Sequence, residues 1–272
     1  MAKSNARISK SNVTTAATVG ASKNSVKAMI QGAQASGLSQ AAIDVLCDNL
    51  NGPTVAGANG AAVGTFDNDA GFVTLYVRVI DKTGSMYKVV RTVIEEANKQ
   101  IDALQKSKAS DILMSTWLFD TRSTLLHSYL TLDKVIKLDA TNYDPDGETS
   151  LFDAVIDAAT SAVAYAETLK DAGYTVKICF VVITDGDDNH SQRSLQDVYD
   201  VVTGMLNQEI YTFALCAFGA NGERIGNEMG IPIENIYTSG KTDHDIRVCL
   251  GTVSASVVKA SQTLVGSGSF FS

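Results

Sequence analysis

Three short stretches of the sequence carry oxygen-bearing side chains where a strand is expected to end or a helix to begin, side chains of the kind that hold a hard metal ion. The first is Asp81-Lys82-Thr83-Gly84-Ser85-Met86, the second Asp146-Gly147-Glu148-Thr149-Ser150-Leu151, and the third Ile183-Thr184-Asp185-Gly186-Asp187-Asp188-Asn189. Mg²⁺ is small and hard, prefers six oxygens and keeps several of its waters. Hydroxyls and carboxylates in these stretches would offer such an ion neutral and charged oxygens. A lone aspartate after a strand is ordinarily a turn residue or a helix cap. Five ligand-type residues spread over three ordered loops are harder to assign to chance.

Those loops need elements that bring them together, and the hydrophobic pattern supplies them. From Phe72 onward, strand-like and helix-like segments alternate. Strands are expected at Phe72–Ile80, Asp111–Phe119, Ser123–Leu130, Tyr174–Thr184, Ile210–Phe218 and Asn235–Thr238. Helices are expected at Met86–Leu104, Ser150–Lys170, Ser194–Leu206, Glu223–Met229 and Asp243–Ser261, with capping boxes at Ser194-x-x-Asp197 and Thr242-x-x-Asp245. Repeated β–α units of this length predict an α/β fold, a doubly wound, mostly parallel six-stranded sheet with helices on both faces. In such sheets ligands bind at the carboxyl ends of the strands, where strand order reverses. Each oxygen-rich stretch follows an expected strand or opens an expected helix.

Asp81-x-Thr83-x-Ser85, Thr149 and Asp185 resemble the metal-ion-dependent adhesion site of von Willebrand factor type A (vWA, integrin I-like) domains. That pattern reads D-x-S-x-S, then a Thr, then an Asp, each in its own loop, and the resemblance covers residues 72–261, about 70% of the chain. Thr83 stands where many members have Ser, and it still offers a hydroxyl. The resemblance implies a Rossmann-like vWA fold with a divalent cation, Mg²⁺ first and Mn²⁺ or Ca²⁺ as alternatives. It implies that Asp81 and Asp185 act largely through bound water. It also implies a partner protein offering an Asp or Glu carboxylate to the ion's open position. An AAA-type ATPase or an assembly subunit is the kind of partner the family suggests.

Ahead of this domain lie segments of different character. Residues 1–23 read as a flexible basic arm. Residues 24–52 read as two short amphipathic helices, with Val26, Met29, Ile30 and Ala33 on one stripe and Ile43, Leu46, Cys47 and Leu50 on the other. A helical pair this small must dock on the main domain or on another molecule. Residues 53–71 read as a Gly/Ala linker and 262–272 as a tail. The tract Gly57–Gly64 precedes the first strand, so it is no dinucleotide loop.

The formal net charge of −8 is uneven. Residues 1–71 hold five basic side chains against four acidic ones, so the acidity belongs to the main domain. An acidic domain repels phosphate, which argues against nucleic acid as a ligand and suits a cation. No apolar run is long enough to cross a bilayer, and the N-terminus lacks the apolar core of a secretory signal. Cys47, Cys179, Cys216 and Cys249 form no C-x-x-C pair and read as reduced structural thiols in a cytoplasmic protein. His127, His190 and His244 have no metal-type spacing, with His190 at most a rim residue. Asp120 reads as a strand-end turn residue, and Asp187, Asp188 and Asn189 as a solvated turn. Arg78 is out of place in a buried strand.

Three functions compete on this footing. The first is a metal-dependent protein-interaction module without enzymatic activity. The second is a structural subunit of a larger assembly, such as a virion or other particle, docking through the N-terminal helices. The third is a Mg²⁺-dependent phosphoester hydrolase. It is disfavoured because the first loop lacks the paired aspartates of aspartyl-phosphate chemistry, and no phosphate loop or nucleophile elbow is present.

Overall fold

In the computed structural model, which describes residues 21–61, 72–107, 111–219, 221–262 and 269–271, the apolar runs become six strands. They are β1 (Val73–Asp81), β2 (Asp111–Phe119), β3 (Ser123–Thr131), β4 (Val176–Thr184), β5 (Tyr211–Phe218) and β6 (Ile236–Ser239). One sheet holds them in the order β3-β2-β1-β4-β5-β6. Every neighbouring pair is parallel except β2 and β3. The chain runs outward from β1 to β2 and β3, then crosses back to place β4 on the other side of β1. The strand order therefore reverses between β1 and β4. Both strands are buried at every position, as the β-branched runs demand of strands covered on two faces.

Alternate side chains of β1 feed two cores. Val73, Leu75, Val77 and Val79 join the core under α5 (Leu151–Asp171) and α6 (Leu195–Leu206). Tyr76 and Ile80 join the core under α4 (Val90–Lys106) and α8 (Asp243–Ala260). The expected helix from Met86 starts differently: Gly84–Val89 is a 3-10 turn, and regular helix begins at Val90. A short α7 (Gly222–Glu228) follows β5. Among the described residues no helix is long and apolar enough to cross a membrane.

The N-terminal region docks on its own chain. It forms α1 (Lys23–Gly32), α2 (Gln40–Asp48) and α3 (Gly52–Gly57). The third helix lies in the stretch read as linker. The Asn51 side chain accepts from the Thr54 backbone N–H and Pro53 sits in the first turn, so Asn51-Gly52-Pro53, just past the end of α2, starts α3. The rest of that expected linker (62–71), nearly all of the expected arm and most of the expected tail lie outside the described residues. α1 and α3 pack on α5, and α2 packs on α6. Val26, Ile30, Ala42, Ile43 and Leu46 are buried in the same core as the sheet. α5 is consequently buried at 16 of its 21 positions, a helix sandwiched between sheet and helices. Its alanines let the layers approach. A Cβ on Gly57 would lie 2.8 Å from the Ser161 Cβ and 2.9 Å from the Trp117 ring.

Two expectations about single residues change. Cys216 on β5 and Cys249 on α8 are joined as a disulfide, where four reduced thiols were expected. The strand and helix face each other in the second core with Cα atoms 6.7 Å apart, a proximity that a sequence separation of 33 does not reveal. Cys47 and Cys179 are free, and burial pushes the Cys179 thiol up to about 12. Arg78, the odd residue of β1, is fully buried and donates to the Thr116 hydroxyl, the Ala97 carbonyl and the Gln100 side chain. Its neighbour His127 is 1% exposed. Burial first, then the Arg78 charge, push the imidazole down to about 4, with the Ile136 backbone acting in the opposite sense.

Leu46→Ala should cost about 2–5 kcal/mol, because it opens a hole between α2 and the main core. Urea unfolding measures this, and a loss under about 1 kcal/mol would mean that α2 is not part of that core. His127 sets a pH dependence. The unfolded imidazole takes up a proton near pH 6.5, and the folded one resists until about pH 4. Stability should therefore fall as pH drops through that window, by an amount on the order of 3 kcal/mol, and His127→Leu should flatten the slope.

Candidate metal centre

The reversal between β1 and β4 sets the ends of two buried strands side by side. Asp81 is the last residue of β1 and Thr184 the last of β4. The Asp81 carboxylate is fully buried and turned inward. One oxygen accepts from the Thr83 backbone N–H at 2.8 Å, and the other from the Thr184 hydroxyl at 2.6 Å. Burial raises its pKa, the donors at Thr184 and Thr83 oppose that rise, and the Asp185 charge adds to it. A carboxylate held in this way favours a neighbouring cation.

The hydroxyls gather above it. Thr83 Oγ1 lies 3.0 Å from Ser85 Oγ, and Ser85 Oγ donates to Asp185 Oδ1 at 2.5 Å. Asp81, Thr83, Ser85 and Asp185 thus form a continuous hydrogen-bonded chain linking the first and third loops. Thr149 comes from the second loop. It is 6% exposed, and a Cβ on Gly186 would lie 3.9 Å from its hydroxyl. Its backbone N–H donates to Asn189 Oδ1 at 2.8 Å, and its carbonyl accepts from the N–H groups of Asn189 and His190.

Several side chains read as bland in the sequence hold these loops. Asp120 forms an ion pair with Lys82, and its carbonyl accepts from the Ser150 N–H. It braces the first loop against the second and is more than a turn residue. Asp188 accepts from the Phe152 N–H and the Ser191 hydroxyl, and Asn189 carries Thr149. Two members of the expected solvated turn are therefore structural. Asp187, the third, pairs with Arg224 and Asn221. His190 stands at the rim, its Nδ1 2.7 Å from Glu148. Residues not singled out in the sequence complete the frame. The Tyr143 hydroxyl donates to the Asp81 carbonyl at 2.6 Å, and burial raises its pKa well above the ordinary value. Lys241, between β6 and α8, donates to both the carbonyl and the carboxylate of Asp185. No local motif marks Tyr143 or Lys241, which reach the site from 62 and 56 residues away in sequence.

The donor set contains three hydroxyls and two carboxylates. Among the described residues no group of three or more His, Cys, Asp or Glu side chains gathers as a metal cage. An ion bound here would therefore be held by a hydroxyl-rich, all-oxygen set. That composition fits a hard divalent cation and does not fit a thiophilic one.

Neither family models nor curated proteins match the sequence. Solved structures do resemble the chain. The PilB minor pilin from Streptococcus sanguinis superposes with a TM-score of 0.50 at 12% identity, over 72% of this chain and 64% of that one. The likeness is one of fold, a mostly parallel α/β sheet in this chain. A vWA protein from Catenulispora acidiphila gives a TM-score of 0.44 at 11% identity, over 69% of this chain and 43% of the other. Proximal thread matrix protein 1 from the mussel byssus, with a zinc-occupied MIDAS motif, gives 0.46 at 16% identity, over 71% and 47%. This chain thus spans less than half the length of the last two proteins. Within this sheet, Asp81 ends β1, Thr83 and Ser85 follow it, Asp185 follows β4, and Thr149 stands just before α5.

Thr184→Val removes the hydroxyl that Asp81 Oδ2 accepts from and leaves a buried carboxylate oxygen without its donor. The loss should be about 1–3 kcal/mol in the metal-free protein, measured as a shift in urea midpoint, whereas Thr184→Ser should retain most of the stability.

Proposed function

We propose that this chain is a metal-dependent protein-interaction module, with Asp81, Thr83, Ser85, Thr149 and Asp185 holding a divalent cation. Mg²⁺ is the ion we favour, with Mn²⁺ and Ca²⁺ as alternatives. The observation that carries the reading is the convergence of hydroxyls and only two carboxylates at the strand reversal. When bound, the cation would supply an electrophilic position that an Asp or Glu carboxylate of another protein can fill. The chain's own part is to hold neutral oxygens toward that position. Asp81 supplies charge from below while its two oxygens stay engaged by Thr83 and Thr184. The mussel protein with its zinc-occupied MIDAS motif has such an ion in a protein of like architecture. A cytoplasmic AAA-type ATPase or an assembly subunit remains the partner class we favour.

A hydrolase reading loses ground on geometry. Asp81 is the carboxylate best placed to act as nucleophile, and it is fully buried with both oxygens engaged. The scaffold reading rested in part on unpartnered amphipathic helices, and those faces are buried against α5 and α6 of the same chain.

Mn²⁺ or Mg²⁺ at concentrations well above Kd should raise the melting temperature, since an ion that binds only the folded state stabilises it by mass action, by about 2.7 kcal/mol at a hundredfold excess over Kd. The shift should vanish with EDTA, and Ser85→Ala and Asp185→Ala should each reduce it. Pull-down from native extract with and without chelator reads the partner. Capture that is equal in EDTA, and equal with Asp185→Ala, would refute the interaction reading.

A further inference from the structure

We propose that Lys241 is the metal centre's own counter-cation, neutralising Asp185 when no divalent ion is present and weakening the binding of that ion. The inference rests on the metal-centre reading above and goes beyond it by assigning a residue that sets affinity. Asp185 has a side chain only 5% exposed, and its two carboxylate oxygens face different partners. Oδ1 accepts from Ser85, on the side of the hydroxyl cluster, and Oδ2 lies 3.1 Å from the Lys241 ammonium. The same ammonium donates to the Asp185 carbonyl at 2.8 Å. The other cations of this rim are committed elsewhere, Lys82 to Asp120 and Arg224 to Asp187 and Glu228.

The lysine's course is built into the backbone. Gly219 has φ +125°, and a Cβ there would lie 2.8 Å from Lys241 Cε. The stem lies against the glycine and, with Thr184, Asp185, Phe218 and Gly219, lines a small cavity of about 110 Å³. A larger residue at 219 would be strained and would push the stem away.

Charge decides the consequence. With Lys241 in place, two carboxylates and one ammonium leave the cluster one negative charge, where two carboxylates alone would leave two. A divalent ion entering beside Ser85 and Asp185 meets a fixed positive charge on the far oxygen of the same carboxylate. Even with solvent screening, like charges at that range oppose one another by an amount that reads as roughly a tenfold loss of affinity. A merely positioning lysine acts the other way. It would hold Oδ1 toward Ser85, and its removal would weaken the ion's binding.

The sign of the change therefore tests the proposal. Mn²⁺ is titrated calorimetrically into the full chain and into Lys241→Gln, Lys241→Met, Lys241→Arg and Asp185→Ala at fixed ionic strength, with circular dichroism on each. Both neutral variants should bind Mn²⁺ roughly tenfold more tightly, and Lys241→Arg should stay within about threefold of the parent chain. Without metal both neutral variants should melt lower than the parent, and saturating Mn²⁺ should close that gap. Unchanged or weaker binding in folded neutral variants overturns the counter-cation role while leaving the metal centre standing. Neutral variants that fail to fold even in saturating Mn²⁺ also overturn it, because the ion should replace the lysine. If the parent, Asp185→Ala and both neutral variants all give flat titrations, the metal-centre reading fails with it.

Discussion

A carboxylate at the end of a buried strand must be compensated, and the organisation of this molecule around Asp81 follows from that requirement. The side chain sits where β1 ends between two other strands, out of reach of bulk water. Leaving an ionised carboxylate there unassisted would cost several kcal/mol. The chain meets the cost with a tight backbone return that points the Thr83 N–H at one oxygen and with a hydroxyl from the neighbouring β4 at the other. Both donors are neutral, so the negative charge is solvated but not cancelled. A residual field of this kind is what a cation site needs.

The loops around that charge are held by contacts between one another, although many of their residues are exposed. Lys82 and Asp120 tie the first loop to the end of β2, the Asp146 N–H reaches the Lys82 carbonyl, and the Gly84 N–H reaches the Gly147 carbonyl. Asn189 fixes Thr149 from the third loop. Each of the three loops is thereby braced by the other two. Hydroxyl ligands benefit most from such bracing. A neutral oxygen is a weaker ligand than a carboxylate, so its contribution depends on being positioned in advance.

How much of this could be read from sequence differs by kind of feature. The sheet, its helices and the five candidate ligands were legible because each rests on local information: β-branched runs, capping boxes, and oxygen-bearing residues directly after strands. Element boundaries mostly agree within a residue or two, the exception being the 3-10 turn at Gly84–Val89. What was not legible depends on where distant segments meet. α5 is rich in alanine, and the short helices α1 and α2 looked in need of a partner. Each explains the other, since small side chains on α5 admit the helices that cover it. The Cys216–Cys249 disulfide, the Tyr143 donor, the Arg78 cluster and Lys241 are likewise products of tertiary proximity, and no spacing rule reaches them. Asp188 and Asn189 were within reach. They follow Asp185 directly, and a pair of side-chain acceptors beside a predicted ligand loop is a candidate for bracing the opposite loop.

The composition of the centre argues for exchange of ligands over permanent metal storage. A permanent site for a hard ion collects carboxylates, which bind tightly and neutralise the charge they hold. Here three of the five candidate ligands are hydroxyls, one carboxylate is turned inward onto backbone and hydroxyl donors, and the other is shared with Lys241. Such an arrangement leaves a bound divalent ion under-neutralised by the protein. The deficit is open to an outside group at Ser85, which is exposed, whereas Asp81 and Thr83 are buried. An incoming carboxylate would supply the missing charge there. Metal affinity and acid affinity are then linked: whatever weakens the protein's own neutralisation of the ion strengthens the ion's demand for an outside anion. On this account the lysine and the hydroxyls act in one direction, toward an ion held loosely by the domain and held well only when a second molecule completes its shell.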